Sequence, residues 1–234
     1  ECFMIFRQLF ERESSTYTYL IGCEKTRQAV FIDTVNSALD QYLQLLDELN
    51  LKLVYVLDTH THADHITGAG ALRDATGAST LLGEEAHSAC VSKAMHHGDI
   101  INVGQLVIEA LHTPGHTDDS YSFILEENGQ LYAFTGDTLL IRGTGRTDFQ
   151  NGNATDQYIS LFDHLLKLPD NTWVYPGHDY KGWTVSTIGE EKANNPRLQV
   201  KDLAEYVALM NNLKLPNPKM MDIAVPANKA CGKV

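Results

Sequence analysis

A dense cluster of histidines follows the apolar run LVYVL. It lies in the segment DTHTHADHITGAG, positions 58–70, and comprises His60, His62, Asp64 and His65. Imidazole nitrogens and carboxylate oxygens are the side-chain groups that bind zinc and iron in proteins. A purely structural role for so many of these groups in one loop is hard to explain without a cation. The sequence therefore predicts a metal site in this loop.

Three further residues that could bind a metal follow strand-like runs elsewhere in the chain. They are His116 in TPGHTDDS, Asp137 in FTGDTLL and His178 in YPGHDY. Each has a glycine beside it, and glycine lets the backbone turn sharply so that the next side chain can point into a cleft. We expect these residues to join the histidine cluster. The isolated histidines are expected to be surface or hydrogen-bonded residues, namely His87, His96, His97, His164 and also His112.

Strands in the first half of the chain, with helices around them, must position these groups. β-Branched and aromatic residues mark the strand-like runs TYTYLIG, AVFIDTV, KLVYVLDTH, STLLG, QLVIEALHT, YSFILEE, LYAFTGDTLL and NTWVYPGH. Helical spacing of apolar residues occurs in NSALDQYLQLLDELN, HITGAGALRDATG, TDQYISLFDHLLKLP and VKDLAEYVALMNNL. Strands and helices do not alternate regularly, which argues against a doubly wound sheet. The pattern predicts two facing sheets with helices outside, and polar motifs at strand ends.

Composition limits the partners. The 234 residues are 43% hydrophobic and 21% charged, which is ordinary for a globular protein with ample core material. Thirty acidic residues against 18 basic ones give a net charge of -12, so nucleic acid and anionic membrane surfaces are not expected to bind. No apolar stretch has the length of a membrane-spanning helix. The start, ECFMIFRQLF, has neither an initiator methionine nor a signal-peptide layout, so we expect a trimmed or mature terminus.

The cysteines are far apart in sequence and form no CxxC pair. They are Cys2, Cys23, Cys90 and Cys231. We expect four free thiols, which would suit a reducing compartment such as cytoplasm or an organelle matrix.

The motifs THTHADH, PGHT, TGD and PGHDY, in this order and spacing, resemble those of the metallo-β-lactamase superfamily. The resemblance implies the α/β (α+β) fold class, as an αββα sandwich with the metal site at one edge. It also implies a single domain over residues 1–234 that ends in a short C-terminal helical tail.

Two-zinc hydrolases of that superfamily use all seven motif positions as ligands. On this resemblance, one ion would be bound by His60, His62 and His116. The other would be bound by Asp64, His65 and His178, with Asp137 bridging the pair. Two such ions activate a hydroxide between them. Because every one of these side chains is present, the ligand residues alone leave a binuclear hydrolase open.

The flanking segments distinguish between the branches of the superfamily. LIRGTGRTDFQNG, YPGHDYKGWTVST and MDIAVPANKACG resemble the glutathione persulfide dioxygenases, the sulfur dioxygenase branch. The resemblance extends from near Arg7 to about Gly232. It implies oxidation of glutathione persulfide with O2 and water to sulfite and glutathione, a step in sulfide detoxification.

That resemblance assigns one Fe(II) per chain to His60, His116 and Asp137. Two histidines and one carboxylate form a facial triad, which leaves one face of an octahedral iron open for O2 and a sulfur ligand. The site would keep a net positive charge, which favours an anionic persulfide. The choice of His60 over His62 rests on the resemblance alone. The other motif residues would orient ligands and water by hydrogen bonds, namely His62, Asp64, His65 and His178.

Substrate recognition needs groups that suit the two carboxylates of a glutathione tail. Relatives that handle glutathione place a basic residue and a tyrosine at the positions of Arg146 and Tyr180. Arg146 could make a charge-assisted bond to a carboxylate, and Asp148 could fix its direction. Weaker candidates, for which a surface role is equally good, are Arg142, Lys181 and Arg197.

The main alternative is a binuclear-zinc glutathione thioester hydrolase of the glyoxalase II kind. It is less favoured because the chain ends soon after AVPAN, with little room for the longer helical substrate domain of such hydrolases. Members of the persulfide dioxygenase family are commonly dimers, so the resemblance implies a homodimer. The expected location is bacterial cytoplasm or the mitochondrial matrix.

Overall fold

Two six-stranded sheets face each other in the computed structural model, which describes residues 2–233. The first sheet runs in the order β1 (Met4–Glu11), β2 (Thr16–Cys23), β3 (Gln28–Ile32), β4 (Lys52–Leu57), β5 (Ser79–Gly83) and β6 (Lys93–Met95). Its first three strands are antiparallel, and β3 to β6 are parallel. The chain crosses over the outside of the sheet between parallel strands, which places helices on its outer face.

The second sheet is antiparallel except for one pair. Its strands are β7 (Ile100–Val103), β8 (Leu106–His112), β9 (Tyr121–Glu127), β10 (Gln130–Gly136), β11 (Trp173–Pro176) and β12 (Ser186–Thr187), with β7 and β12 at the edges. Only β10 and β11 are parallel, and the long connection between them carries a helical segment. Both sheets are therefore mixed.

Helices cover the outer faces of both sheets. They are α1 (Leu39–Glu48), α2 (Ala69–Thr76), α3 (Ala154–Ile159), α4 (Ile188–Asn194), α5 (Leu203–Asn211) and α6 (Met221–Lys229). Side-chain oxygens of Asn153, Thr187 and Asp202 accept backbone N–H groups at the starts of α3, α4 and α5. Such caps satisfy donors that have no partner within the helix. The helix of α3 continues through a π-helical turn and a 3-10 turn to Lys167.

Strand β2 illustrates how the sandwich buries its core. All eight of its residues are buried. Because side chains alternate along a strand, Tyr19 and Ile21 pack between the sheets, whereas Leu20 packs towards α1 on the outer face. A third apolar cluster, which includes Leu161 and Tyr206, lies between the second sheet and its helices. Three stacked apolar layers thus hold four layers of secondary structure together.

The predicted αββα sandwich is confirmed, and so is the position of the polar motifs after strands. The sequence pattern did not predict strand β1, because its residues are half-buried and do not alternate regularly. It did not predict β6, β7 and β12 because each of them has four residues or fewer. The helix expected from position 65 begins only at Ala69. Among residues 2–233, no helix is both long enough and apolar enough to cross a membrane. The single-domain assignment stays a prediction.

The expectation of four free thiols is wrong for this structure. Cys2 is paired with Cys23 and Cys90 with Cys231, as two disulfides. The Cα atoms of the two pairs lie 6.3 and 6.0 Å apart, a separation that a disulfide spans. Chain folding brings together residues separated by 21 and 141 positions, which spacing alone does not reveal. The cysteines therefore do not support the expected location in a reducing compartment.

Phe134 tests the packing between the two sheets. Its ring is 1% exposed and lies 5.1 Å from that of Tyr19 and 5.6 Å from that of Tyr175, measured between centroids. We expect Phe134→Ala to lower the free energy of unfolding by about 3–5 kcal/mol, measured by urea denaturation, because a cavity remains. The control Ile100→Ala, at a residue that is 54% exposed, should change it by less than about 1 kcal/mol. Equal losses in the two variants would contradict this account of the core.

Candidate metal centre

Sharp turns at glycines present two of the motif side chains. Gly115, directly before His116, has φ 144°, and a Cβ there would overlap Gln157. Gly136, directly before Asp137, has φ 51°. Both φ values lie in the region that glycine adopts without steric cost. The structure therefore agrees with the expectation that these glycines let the next side chain turn inward.

His60, His116 and Asp137 converge at one edge of the sandwich. His60 follows β4, His116 follows β8 and Asp137 directly follows β10. One possible ligand atom from each lies within 4.8 Å of the others. The Asp137 Oδ2 atom is 3.7 Å from His60 Nε2 and 3.4 Å from His116 Nε2. Three donors of the types that zinc and iron prefer thus point at one small volume.

The hydrogen bonds of the two histidines leave their Nε2 atoms free to bind a metal. The Thr59 hydroxyl donates to Asp33 Oδ2 at 2.9 Å, so it accepts from His60 Nδ1 at 2.8 Å. His116 Nδ1 lies 2.8 Å from the Arg146 carbonyl oxygen, which can only accept. Each ring therefore carries its proton on Nδ1. This pattern, in which the far nitrogen of a ligating histidine is held by an oxygen, is usual at metal sites.

Burial and neighbouring charges favour the ligand forms of these groups. Burial, together with the neighbouring His62, lowers the pKa of His60 well below its usual value, so the imidazole is neutral. Burial alone would raise the pKa of Asp137, but His178 and the other neighbouring histidines outweigh it and lower the pKa. A neutral imidazole and a carboxylate are the forms that bind a cation. The residues present therefore fit a metal ion held by this triad.

His178 connects Asp137 to Asp64. Its Nδ1 atom lies 2.6 Å from Asp137 Oδ1, and its Nε2 atom lies 2.6 Å from Asp64 Oδ2. Burial opposes protonation of the ring, but the two carboxylates outweigh it and raise the pKa of His178 well above its usual value. His65 Nδ1 also contacts Asp64 Oδ2, at 3.0 Å, and Thr16 lies against both histidines. These residues form a polar network beside the triad.

His62 turns away from the triad towards two buried carboxylates. Its Nε2 atom lies 3.0 Å from Asp33 Oδ1 and 3.5 Å from Asp58 Oδ1. His62, Asp64 and His65 also bring ligand atoms within 4.8 Å of one another. Within residues 2–233, the buried atoms His62 Nδ1 and His65 Nε2 have no hydrogen-bond partner. The structure thus groups His60, and not His62, with His116 and Asp137.

Arg146 lies next to the triad with its direction fixed. Its Nε and Nη2 atoms donate to the two carboxylate oxygens of Asp148 at 2.7 and 2.9 Å, which confirms the expected pair. The Arg146 Nη1 atom donates to the Pro216 carbonyl, and the guanidinium lies 4.6 Å from the centre of the Phe149 ring. Tyr180 is 73% exposed, and its ring stacks on His178 with centroids 6.1 Å apart. Both side chains can therefore meet a molecule that approaches the metal centre.

The two arginines among the weaker candidates have other partners. Arg142 pairs with Glu190 and with Glu191, and its guanidinium lies over the Trp183 ring. Arg197 donates to the backbone and side chain of Thr144. Lys181 is exposed beside Tyr180. His112 contacts the Asp118 carbonyl oxygen at 2.8 Å rather than the triad, and the structure does not bring the other isolated histidines into it.

Several residues that hold the candidate ligands in place were not singled out from the sequence. Asp33 and Thr59 orient His60, and Asp119 joins two ligand loops because it accepts from Thr61 and from Thr117. Asn228, near the C-terminus, contacts the histidine loop. Asp33 stands at the end of a predicted strand, which is a weak signal. The other three lie within quoted segments, Thr59 in THTHADH, Asp119 in TPGHTDDS and Asn228 in MDIAVPANKACG, but the sequence does not show which distant groups they contact.

Comparison with known proteins agrees with this geometry. Residues 12–178 match the family model described as the metallo-beta-lactamase superfamily. The mitochondrial persulfide dioxygenase ETHE1 of Mus musculus is 46% identical, over 98% of this chain and 89% of its own. The crystal structure of ETHE1 from Myxococcus xanthus is 58% identical, covers 98% of this chain and 100% of its own, and superimposes with a TM-score of 0.94.

A hydrolase branch is more distant. A probable hydroxyacylglutathione hydrolase of Schizosaccharomyces pombe is 34% identical, over 85% of this chain and 89% of its own.

The sandwich and its histidine and aspartate donors define an enzyme class, the metal-dependent enzymes of the metallo-β-lactamase fold. Within that superfamily, the chain belongs to the persulfide dioxygenase family, as the resemblance of its flanking segments predicted.

Thr59 allows a test of how His60 is held. We expect Thr59→Val to weaken metal binding by about 10- to 100-fold, because the hydroxyl that joins His60 to Asp33 is lost. The measurement is metal affinity by competition with a chelator of known affinity. The matched control is Thr172→Val, because Thr172 is fully buried and its hydroxyl has no partner within residues 2–233. Equal affinity in the two variants would refute the role given to Thr59.

Proposed function

We propose that the chain oxidises glutathione persulfide with O2 and water to sulfite and glutathione. The observation that carries this proposal is the triad of His60, His116 and Asp137, together with family membership over nearly the whole chain. A persulfide dioxygenase needs a metal that can bind O2, and donors from one side only leave room for it. This chemistry would remove persulfides formed from sulfide.

The proposed cofactor is one Fe(II) per chain, held by His60, His116 and Asp137. When bound, ferrous iron supplies the redox chemistry that lets O2 react with a persulfide sulfur. The protein orients the two imidazoles through Thr59 and the Arg146 carbonyl, and it keeps the carboxylate ionised through His178. These contacts keep the three donor atoms directed at one point.

The position of His178 supports one ion rather than two. In a binuclear site this histidine and Asp64 would both bind a second metal. Here both ring nitrogens of His178 lie 2.6 Å from carboxylate oxygens, one on Asp137 and one on Asp64. A ring that is protonated between two carboxylates offers no lone pair to a cation, and, against the effect of burial, the carboxylates raise the pKa of His178. The network instead holds a proton between the two carboxylates, next to the triad.

Arg146 and Tyr180 are the proposed contacts for the glutathione part of the substrate. Asp148 takes two of the N–H groups of Arg146 and the Pro216 carbonyl takes a third, and a guanidinium has five. The remaining N–H groups can donate to a substrate carboxylate. Tyr180 extends beyond His178 and is exposed, so its hydroxyl can donate to the same molecule.

A binuclear thioester hydrolase is the second candidate. The observation in its favour is the group formed by His62, Asp64 and His65, in which His62 Nδ1 and His65 Nε2 are buried without partners among residues 2–233. A second ion at this group would generate a hydroxide and require no O2. The more distant relationship to hydrolases makes this interpretation weaker.

Oxygen uptake and metal content separate the two candidates. We expect the Fe(II)-loaded protein to consume O2 only when glutathione persulfide is present, to release sulfite, and to contain one iron per chain. The measurements are an oxygen electrode, a sulfite assay and elemental analysis. Two zinc ions per chain, with hydrolysis of S-lactoylglutathione under anaerobic conditions, would instead identify the hydrolase.

Asp137→Ala tests the ligand assignment. The variant should lose both iron and oxygen uptake, because the negative ligand of the triad is gone. Asp47→Ala is the control, since Asp47 is an exposed residue of α1 with the same side chain. Retention of iron and activity by Asp137→Ala would show that the ligand set is wrong.

Arg146→Ala tests substrate recognition. The variant should raise KM for glutathione persulfide by about 10- to 100-fold, because a charge-assisted hydrogen bond to a carboxylate is lost, with iron content unchanged. Lys52→Ala is the control, because Lys52 is an exposed cation at the start of β4, the end of the strand away from the histidine loop. An unchanged KM in Arg146→Ala would remove Arg146 from the substrate site.

The location, the partners and the assembly of the enzyme are proposed from its relatives and its charge. The mouse relative is named as mitochondrial, and we propose the mitochondrial matrix or a bacterial cytoplasm for this chain. The net charge of -12 disfavours nucleic acid and anionic membranes as partners. The proposed assembly is a homodimer, which size-exclusion chromatography with light scattering would test.

A further inference from the structure

The C-terminal helix α6 contacts the loop that carries the histidine cluster through one side chain. Asn228 is 5% exposed and lies more than 160 residues from that loop in sequence. Its Nδ2 atom donates to the carbonyl oxygens of His62 at 2.9 Å and His65 at 2.8 Å. Its Oδ1 atom accepts the N–H group of Thr67 at 2.8 Å. One carboxamide thus binds three backbone groups of an irregular loop.

These three bonds match the hydrogen-bonding capacity of an amide. A carboxamide has two N–H donors and a carbonyl acceptor, and here both donors and the acceptor are used. Another side chain of similar size cannot replace this pattern. An aspartate has no donor and would place a carboxylate against two carbonyl oxygens. An alanine would leave three buried backbone groups without these partners, which is costly in a protein interior.

The segment after Asn228 is fixed in place. Cys231 is bonded to Cys90, and its carbonyl oxygen accepts the N–H group of Gly70 at 3.2 Å. A Cβ atom at Gly70 would overlap the Cys231 carbonyl, and one at Gly232 would overlap the Thr67 carbonyl. The C-terminal segment therefore packs directly against the backbone that follows the histidine cluster, at Thr67 and Gly70. These contacts hold the segment next to Asn228 and thereby help to fix the position of its carboxamide.

We propose that Asn228 is a positioning residue of the metal centre. It fixes the backbone from His62 to Thr67 and thereby the histidine loop, which begins with the ligand His60 and includes Asp64. Asp64 contacts His178, which in turn contacts Asp137. The same loop therefore affects the positions of two triad residues, His60 and Asp137. The inference rests on the proposed function, in which the triad binds a metal, because it states that Asn228 helps the protein to retain that metal.

Release of iron is the measurement that tests this role. Asn228→Ala and Asn228→Asp, loaded with Fe(II) under anaerobic conditions, are mixed with a chromophoric ferrous chelator, and the rate of iron transfer is followed. We expect release about 10- to 100-fold faster than in the unaltered protein, the usual effect of losing a group that orients metal ligands. Asn228→Asp should release iron at least as fast as Asn228→Ala, because it adds repulsion from two carbonyl oxygens.

Leu46→Ala separates positioning from general loss of stability. Leu46 is 5% exposed in the apolar cluster beneath α1, and this substitution destabilises the fold without removing a polar contact to the loop. The melting temperature of each apo-protein is measured beside its release rate. Positioning predicts fast release in the Asn228 variants and near-normal release in Leu46→Ala at a similar melting temperature. Equal release rates at equal stability would overturn the proposal.

A milder variant keeps the test decisive if Asn228→Ala does not fold. Asn228→Ser retains a hydroxyl that can donate or accept one bond, so it should release iron at a rate between those of the unaltered protein and Asn228→Asp. Release as slow as in the unaltered protein would also contradict the proposal.

Because these measurements need no persulfide, a protein that retains iron through Asn228 but takes up no oxygen would refute the proposed function and leave this inference intact.

Discussion

The arrangement of the site depends on the position of one carboxylate. The Oδ2 atom of Asp137 faces the Nε2 atoms of His60 and His116, while its Oδ1 atom lies 2.6 Å from His178. A buried carboxylate is stable only when cations or hydrogen-bond donors surround it, because burial removes its hydration. His178 supplies one such partner, and a metal held by the triad would supply the other. On its other side, His178 contacts Asp64, whose carboxylate balances the charge of the ring.

The sandwich provides this arrangement because its two sheets end at the same edge. His60 follows β4 of the first sheet, whereas His116 and Asp137 follow β8 and β10 of the second. Strands that are fixed by packing on both sides hold their end residues more rigidly than a free loop would. Short contacts then join the two sheets, as between the Thr59 carbonyl and the Tyr121 N–H group. The apolar core between the sheets thereby sets the distances at the metal centre.

The orientation of histidines, rather than their presence, distinguishes the possible chemistries on this fold. His62 directs Nε2 to Asp33, and His178 uses both nitrogens on carboxylates, although each occupies a position that binds metal in two-zinc hydrolases. At His178, hydrogen bonds to the protein compete with a second ion for both ring nitrogens. In the proposed function, Arg146 and Tyr180 would donate hydrogen bonds to an anionic substrate beside the centre. A common scaffold can thus support hydrolysis or oxidation through the partners of a few side chains.

The sequence by itself determined the two facing sheets, the positions of the polar motifs after strands, and the choice of family. Those features depend on local alternation of side chains and on residues that lie close together in the chain, such as the histidine cluster and the RGTGRTDFQ segment. Only the tertiary structure decided the two cysteine pairs, the Thr59 contact that orients His60, and the Asn228 contacts to a loop more than 160 residues away. Local patterns carry no information about which distant polar groups meet, because burial and hydrogen-bond pairing are fixed only when the whole chain packs.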